Sequence, residues 1–481
     1  MEERGGKPAQ GADYEHVASE YMEKRQLQSG AAGPLLLVGL GVAYVISGDF
    51  AGWNFGLAQG GWGGMLIATL LMATMYTAMV FALAELSSTI PTAGGGYGFA
   101  RRALGPWGGF MTGTAILIEY AIAPAAIATF IGAYVESLTG IGGPLVYLFF
   151  YAVFVGIHIY GVGEALKVMF VITAIAAAAL AAFVVGMILQ FDPANLFNIP
   201  PTDAAGANSF LPFGLIGIWA ALPYGIWFFL VIEGVPLAAE ETRDPARDMP
   251  KGLIGGMLVL LVFAALILTF APGGAGSAEI QASENPLVEA VESAYGGPNL
   301  LSSFVNLVGL AGLIASFFSI IFAYSRLTFA LSRAGYLPTL LSLTNRRRAP
   351  YLALIVPGVI GFVLSLTGDG AKLVNIAVFG ATISYALMML SHIVLRSREP
   401  NLERPYRTPG GAMTSGVALV LALAAVAATF VVDPTAALIM VGVYLLFAAY
   451  FGLYSRHHLV AEAPEEEFAA VEKAESELAG S

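Results

Sequence analysis

Three carboxylates stand alone in apolar surroundings. Asp49 lies in Val45-Ile46-Ser47-Gly48-Asp49-Phe50, Glu119 in Ile116-Leu117-Ile118-Glu119-Tyr120, and Glu233 in Val231-Ile232-Glu233-Gly234-Val235-Pro236. An acid at the centre of a bilayer costs about 2.5–3.5 kcal/mol on insertion scales, so it is retained there only with a partner or a task. No Lys or Arg lies near any of the three within the apolar stretches to act as a fixed counter-ion. The chemistry open to them is cation handling: a substrate ammonium, a proton or sodium, supplied from outside the chain. Asp49 also reads as the N-cap of a helix that resumes after an interruption, a role compatible with the first. Glu119 also reads as a protonated, hydrogen-bonded structural group. Trp219, Tyr224, Trp227, Phe228 and Phe229 crowd the third acid. Rings beside a cation add about 0.5–2 kcal/mol. Phe228 and Phe229, nearest Glu233, are the candidates for that task, whereas Trp219 and Tyr224 read as packing or interfacial anchors.

Acids so placed need membrane-spanning elements to hold them. The 481-residue chain is 57% hydrophobic and 11% charged, against about 25% charged residues in soluble proteins. A spanning helix takes about 20 largely apolar residues. Twelve such stretches, numbered here as spans 1–12, start near Pro34, Gly64, Gly108, Pro144, Ala165, Pro212, Gly252, Leu300, Pro350, Leu373, Met413 and Thr435. The first begins behind a polar head of residues 1–32 and reads as a retained helix rather than a cleaved signal peptide. The segment after Gly276 is polar, with a short amphipathic run near Leu287, and reads as an external loop carrying a surface helix.

Basic residues set the expected orientation, because cytoplasmic loops concentrate them. With both termini inside, Arg101, Arg102, Lys167, Arg243, Arg247, Lys251, Arg333, Arg346, Arg347, Arg348, Arg396, Arg398, Arg404 and Arg407 all fall on the cytoplasmic side, and only Lys372 falls in an external turn. No Lys or Arg occurs from Gly252 to Ser325. The expected setting is the inner (plasma) membrane with both ends cytoplasmic. Of the net charge of −11, much comes from the tail between Glu462 and Glu477, with seven glutamates and one lysine, which reads as a solvated end.

Other chemistries find no support. The chain has no cysteine, which removes disulfides, zinc–thiolate sites and cysteine nucleophiles. No G-x-x-x-x-G-K-[ST] run exists, so ATP-driven transport within this chain is not expected, and Gly94-Gly95-Gly96 reads as a tight cytoplasmic turn. There is no hydrolase elbow, no H-E-x-x-H, and no carboxylate pair at a catalytic spacing along the chain. His158 and His392 lie towards cytoplasmic helix ends and read as packed residues. No enzyme activity, cofactor, metal site or nucleic-acid partner is expected.

The architecture is written in two places. Spans 1 and 6 are each interrupted near the middle by Gly with an acid beside it, at Gly48-Asp49 and Glu233-Gly234. Interrupted spans at matching places in two halves point to an inverted-repeat transporter. Irregular backbone at that depth is tolerated only where it is buried in protein or lines a cavity. The two interruptions are therefore expected to face each other across a binding site.

Three motifs in order carry a family resemblance. Ala84-Glu85-Leu86 through Pro91-Thr92-Ala93-Gly94-Gly95-Gly96-Tyr97 follows span 2, Ala239-Glu240-Glu241-Thr242-Arg243-Asp244-Pro245-Ala246-Arg247-Asp248-Met249-Pro250 follows span 6, and Ser325-Arg326 with Gly335-Tyr336-Leu337-Pro338 ends span 8. Over about residues 30 to 455 the chain resembles the amino acid–polyamine–organocation (APC) superfamily of permeases. The resemblance implies an all-α integral membrane protein with a LeuT-like fold: spans 1–5 and 6–10 as inverted repeats with spans 1 and 6 broken, and two C-terminal spans appended. It divides the chain into a cytoplasmic tail (1–32), a transport core (33–395, halves 33–189 and 212–395), a cytoplasmic loop (396–412), spans 11–12 (413–455) and an acidic cytoplasmic tail (456–481).

Departures from the family pattern bear on substrate. Ile46 replaces the first Gly of the span-1 motif and Asp49 replaces its Ile. In amino-acid permeases the N–H groups of that break hold the substrate carboxylate at a positive half-helix end; an ionised Asp49 would occupy that anion site and attract an amine instead. The stretch from Ser47 to Leu57 looks like the ethanolamine permease branch. Many proton-coupled relatives carry a Lys within span 5. Here Lys167 sits at the cytoplasmic start of that span and Ala176 aligns with the family Lys, while Glu233 aligns with the acid of the family's span-6 motif. The expected function is secondary active import of ethanolamine or a similar small amine by alternating access. Asp49 would pair with the ammonium, and backbone atoms at Ile46, Ser47, Gly48 and Val231 would orient the hydroxyl end. Phe228 and Phe229 would close over the substrate, and Glu233, with Glu119, would carry the proton. The alternative is an amino-acid permease of broader specificity, working by uniport, exchange or symport.

Overall fold

The computed structural model describes residues 12–15, 17, 21, 33–91, 94–160, 165–461 and 463, without the side chains of residues 165–168, 240 and 241. Most of both tails, the acidic run from Glu462, and the side chain of Lys167 therefore lie outside the described residues.

The described residues are predominantly helical, with a single pair of two-residue strands among them. Among the described residues, nine helices are long and apolar enough to cross a membrane, and three shorter apolar ones, Pro34–Val45, Pro144–Tyr160 and Tyr351–Ser365, supply spans 1, 4 and 9. Together these account for the twelve expected spans. Two of them extend further back than the hydropathy pattern indicates: Phe55–Thr89 (span 2) and Gly96–Thr139 (span 3) begin well before Gly64 and Gly108. Each contains a hinge glycine, Gly61 at φ 65° and Gly105 at φ 78°, in a backbone region that only glycine enters without penalty. The Pro212 ring also sits where a Cβ on Gly61 would lie. The pieces before the hinges are short helices in their own right, which an apolar count cannot separate from the span that follows.

The central part of span 3 is buried almost throughout. It is flanked by span 10 (Gly370–Arg398) and span 8 (Leu300–Arg333), while span 2 packs on the first half of span 6 and span 7 (Pro245–Ala275) packs on spans 1 and 2. Spans 11 (Ala412–Val432) and 12 (Pro434–Leu453) present most of their surface outward. Exposed Leu145, Leu189, Leu300, Leu438 and Leu446 lie on outer faces, as they should where the solvent is hydrocarbon. The loop after span 7 does carry a helix, Pro286–Tyr295, whose Leu287, Val288 and Val291 are buried.

Basic residues and chain ends gather at one face. Tyr14–Glu15 pairs in parallel with Leu459–Val460, Tyr21 donates to the Arg333 carbonyl, and the Tyr14 hydroxyl accepts from Arg101. The two described ends thus lie on the same side, as an even number of spans requires. Close by, Arg102 binds Glu399 in a two-bonded fork, and Glu85 is held by Arg396 and Arg404.

Candidate substrate and cation site

Two interruptions create the site. Helix Pro34–Val45 gives way at Ile46 to a single turn, Ser47–Phe50, followed by extended Ala51 (φ −160°) and left-handed Gly52 (φ 98°) before Phe55. In span 6, helix Gly214–Trp227 ends in an irregular turn through Phe228, Phe229, Leu230 and Val231, and a 3-10 segment, Ile232–Glu241, continues. Val231 sits at φ 76°, and a β-branched residue there costs about 1–3 kcal/mol, which persists only when neighbours hold the backbone in place. Pro236, without an N–H, and Gly234 give that segment little reason to return to an α-helix.

The interruptions touch. A Cβ on Gly48 would lie 2.3 Å from the Trp227 carbonyl oxygen and 3.3 Å from the Phe228 Cα, so the close approach requires glycine. Trp227 also fills the place of a Gly52 side chain, and its indole N–H donates to the Ala51 carbonyl at 2.9 Å. Trp53 stacks on Phe228 with ring centroids 5.5 Å apart. From span 8, Ser316 Oγ lies 2.8 Å from Ser47 Oγ and 2.7 Å from the Tyr44 carbonyl, and Gly309 and Gly312 accommodate the Phe50 ring. Tyr134 of span 3 donates to the Phe50 carbonyl at 3.1 Å.

Ile46, Ser47, Asp49, Glu119, Phe228, Phe229, Val231 and Glu233 are all buried. Asp49 is fully enclosed, and neither of its carboxylate oxygens has a hydrogen-bond partner. It does not cap the turn: Ile46 occupies the N-cap position and no side chain caps there. Trp53 Nε1 and Thr69 Oγ1 are likewise buried without partners. An uncompensated buried carboxylate is among the most costly groups a fold can carry.

Glu233 is placed differently. Tyr120 donates to its Oε1 at 2.9 Å, and the Tyr385 hydroxyl lies 3.1 Å from its Oε2. The same Tyr385 oxygen is 3.1 Å from Glu119 Oε1 and 2.9 Å from the Tyr76 hydroxyl. Spans 2, 3, 6 and 10 therefore meet at one carboxyl–tyrosine cluster, in which the Glu119 and Glu233 side chains are in contact. Among the described residues no ion pair reaches Asp49, Glu119 or Glu233. Ala176 packs against Gly312 as a buried methyl group, with no cation at that point.

The remaining sequence candidates separate cleanly. Trp219 is exposed on an outer face, and Tyr224 packs against Phe55. His158 bonds the Phe154 carbonyl and rests on Phe318, and His392 is buried between Thr408, Ser415 and Glu85. A linear reading finds no carboxylate pair at close spacing, yet Glu119 and Glu233, far apart in the chain, form one through the fold. Linear reading also passes over Tyr76, Tyr120, Tyr385, Trp53 and Ser316. A tyrosine at mid-span is the one signal that could have raised the first three, because a hydroxyl at that depth needs a partner.

Comparison with known proteins places the chain in a family. The amino acid permease family matches residues 36–446. The chain is 29% identical to an uncharacterized transporter of Rhizobium meliloti over 432 residues, covering 87% of this chain and 90% of that protein. It is 26% identical to a branched-chain amino acid permease of Bacillus subtilis, covering 85% and 89% of the two chains. It is 25% identical to a methylthioribose transporter of Bacillus subtilis, covering 82% and 87%. A match along nearly the whole helical core, joined to broken spans 1 and 6, makes this chain a membrane permease of the amino acid permease family, within the APC superfamily.

Proposed function

We propose that this permease imports ethanolamine or a similar small primary amine by alternating access, driven by protons, with both termini cytoplasmic and the two five-span halves related as a LeuT-like inverted repeat. The observation that carries the reading is Asp49, fully enclosed at the first break with both oxygens unpartnered. A substrate ammonium supplies the charge and the hydrogen-bond donors that the fold withholds. The polar end of the amine is oriented by backbone atoms at Ile46, Ser47, Gly48 and Val231, and the Phe228 and Phe229 rings close over it. Glu233, with Glu119, takes and releases the driving proton. Burial of all these groups corresponds to an occluded stage of the cycle.

A second reading, a broader amino-acid permease, is favoured by the name of the Bacillus subtilis branched-chain amino acid permease. It requires the span-1 break to accept a carboxylate beside Asp49. Uptake of radiolabelled ethanolamine into proteoliposomes, with and without an inward proton gradient and with excess unlabelled alanine, separates the two. Gradient-stimulated uptake that alanine does not inhibit is the expected result. Absence of ethanolamine uptake, or strong inhibition by alanine, transfers the protein to the second reading.

A further inference from the structure

Tyr385 stands between two acids and a second tyrosine, and its proton can be counted. A phenol has one hydrogen to donate and otherwise only accepts. Its oxygen has three close partners: Tyr76 Oη at 2.9 Å, Glu119 Oε1 at 3.1 Å and Glu233 Oε2 at 3.1 Å. Tyr385 donates to one of them, so the other two must donate to it. One of these is Tyr76. The remaining donor is a carboxyl O–H, on Glu119 or on Glu233. If Tyr385 instead donated to Tyr76, both carboxyls would have to carry protons. Either way the cluster contains at least one carboxyl proton, and no fixed cation among the described residues replaces it.

Resting on the reading of Glu119 and Glu233 as the proton-carrying pair, the geometry points to Tyr385 as the relay that passes the transported proton between them. The step balances without any other reactant. The Glu119 O–H breaks as its proton moves to the Tyr385 oxygen, the Tyr385 O–H breaks as its proton moves to Glu233 Oε2, and the tyrosine ends neutral as it began. One proton has crossed from span 3, an unbroken helix at this depth, to the 3-10 segment of span 6 that forms the second break. Tyr120 adds a donor to Glu233 Oε1 at 2.9 Å, which stabilises Glu233 while it is the ionised member. Tyr76 occupies a lone pair of Tyr385, which limits the relay oxygen to the two acids.

The titratable groups facing the pair are Tyr44 on span 1, Tyr76 on span 2, Tyr120 on span 3 beside Glu119 itself, and Tyr385 on span 10. No His, Lys or Arg faces it among the described residues. The relay is therefore insulated from His, Lys and Arg donors at this depth, and direct contact between the Glu119 and Glu233 side chains is the parallel route that a variant lacking the Tyr385 hydroxyl retains.

The test uses the full-length protein in two measurements. Infrared spectra of purified wild type, Glu119→Gln, Glu233→Gln and Tyr385→Phe, with Asp49→Asn as control, report the C=O stretch of protonated carboxyls. A band removed by Glu119→Gln or Glu233→Gln, shifted in Tyr385→Phe and unchanged in Asp49→Asn is expected. In proteoliposomes, ethanolamine uptake with and without an inward proton gradient is normalised to counterflow for wild type and Tyr385→Phe. The gradient stimulation should fall in Tyr385→Phe. A variant stimulated as strongly as wild type overturns the relay while leaving the permease reading intact; wild type that shows no gradient stimulation fails the proton-driven reading instead. Should Tyr385→Phe lose all transport, the infrared arm decides: a band unmoved by Tyr385→Phe, or no band assignable to the pair, overturns the proposal.

Discussion

Asp49 and Glu233 occupy corresponding interruptions of spans 1 and 6, and each is enclosed, yet their neighbours could hardly differ more. Asp49 has no hydrogen-bond partner on either oxygen. Glu233 is met by the hydroxyls of Tyr120 and Tyr385 and by the side chain of Glu119. Two acids of like burial thus answer the same problem in opposite ways. Where the protein provides hydroxyl donors and a second acid, the small change of a proton suffices to settle the charge. Where it provides nothing, the compensating group comes from outside the fold, and in the proposed function it is the substrate ammonium. The contrast is what leads the proposed function to put cargo at the first break and driving force at the second; composition offers no such distinction, because both segments read as an apolar span with Gly and an acid.

Asp49→Asn gives the sharpest blow to this division. Loss of one partner of a buried charge pair costs about 3–5 kcal/mol, or on the order of a hundredfold to several thousandfold in substrate affinity. Ethanolamine uptake should fall by that order, measured against protein amount in proteoliposomes. Full uptake by the variant would remove the amine-pairing role.

Glu85 supplies a third kind of buried acid. It is enclosed like Asp49, but accepts from Arg396 Nε at 3.0 Å and the Thr408 amide at 2.7 Å, and it is ion-paired with Arg404, whose Nε lies 3.0 Å away. Glu85→Gln strands two guanidinium groups, so the expected effect is on the fold: about 3–5 kcal/mol of stability, read as a lower melting temperature in detergent. If the folded fraction instead showed altered preference between ethanolamine and alanine, fixed cations would not be a sufficient mark of a structural acid.

Gly48→Ala asks whether the two breaks must touch. The new methyl would sit 2.3 Å from the Trp227 carbonyl oxygen, which cannot move without span 6. Overpacking of this kind costs about 1–3 kcal/mol. The melting temperature should fall, and a weaker substrate interaction should accompany it. An unchanged melting temperature would mean that the breaks separate more readily than their packing indicates.

Glu284, in the loop after span 7, gives the smallest effect and tests whether burial alone makes an acid functional. Burial pushes its carboxyl up from the ordinary value; the Gly370 amide, donating at 3.2 Å, opposes this, and Asp369 adds to it. A raised value in the fold means that the folded state takes up the proton more readily. The associated stability is present at low pH, below the unfolded value, and is lost as pH rises through the folded one. Glu284→Gln should therefore raise the melting temperature slightly at neutral and alkaline pH and leave it unchanged in acid, with uptake unaffected. Loss of uptake would show a buried acid outside the breaks taking part in transport.

Much of this molecule was decided by local composition. Apolar runs of spanning length made spans wherever they occurred, because a backbone in hydrocarbon must satisfy its own hydrogen bonds. Gly48 and Gly234 beside acids located both interruptions for the same reason: only a break can expose polar backbone there. Three motifs with residue-by-residue matches sufficed for the family. The hinges at Gly61 and Gly105 were not separable, since hydropathy carries no φ angle. The pairing of acids was the work of tertiary structure alone. Glu119 and Glu233 are made neighbours by spans 3 and 6 crossing, and Tyr76 and Tyr385 reach them from spans 2 and 10, four helices whose packing partners no local pattern names. Whether an enclosed acid is orphaned, shared or locked to arginine depends on side chains far away in the chain. That dependence is why the sequence marked Asp49, Glu119 and Glu233 as one class and the fold divided them into two.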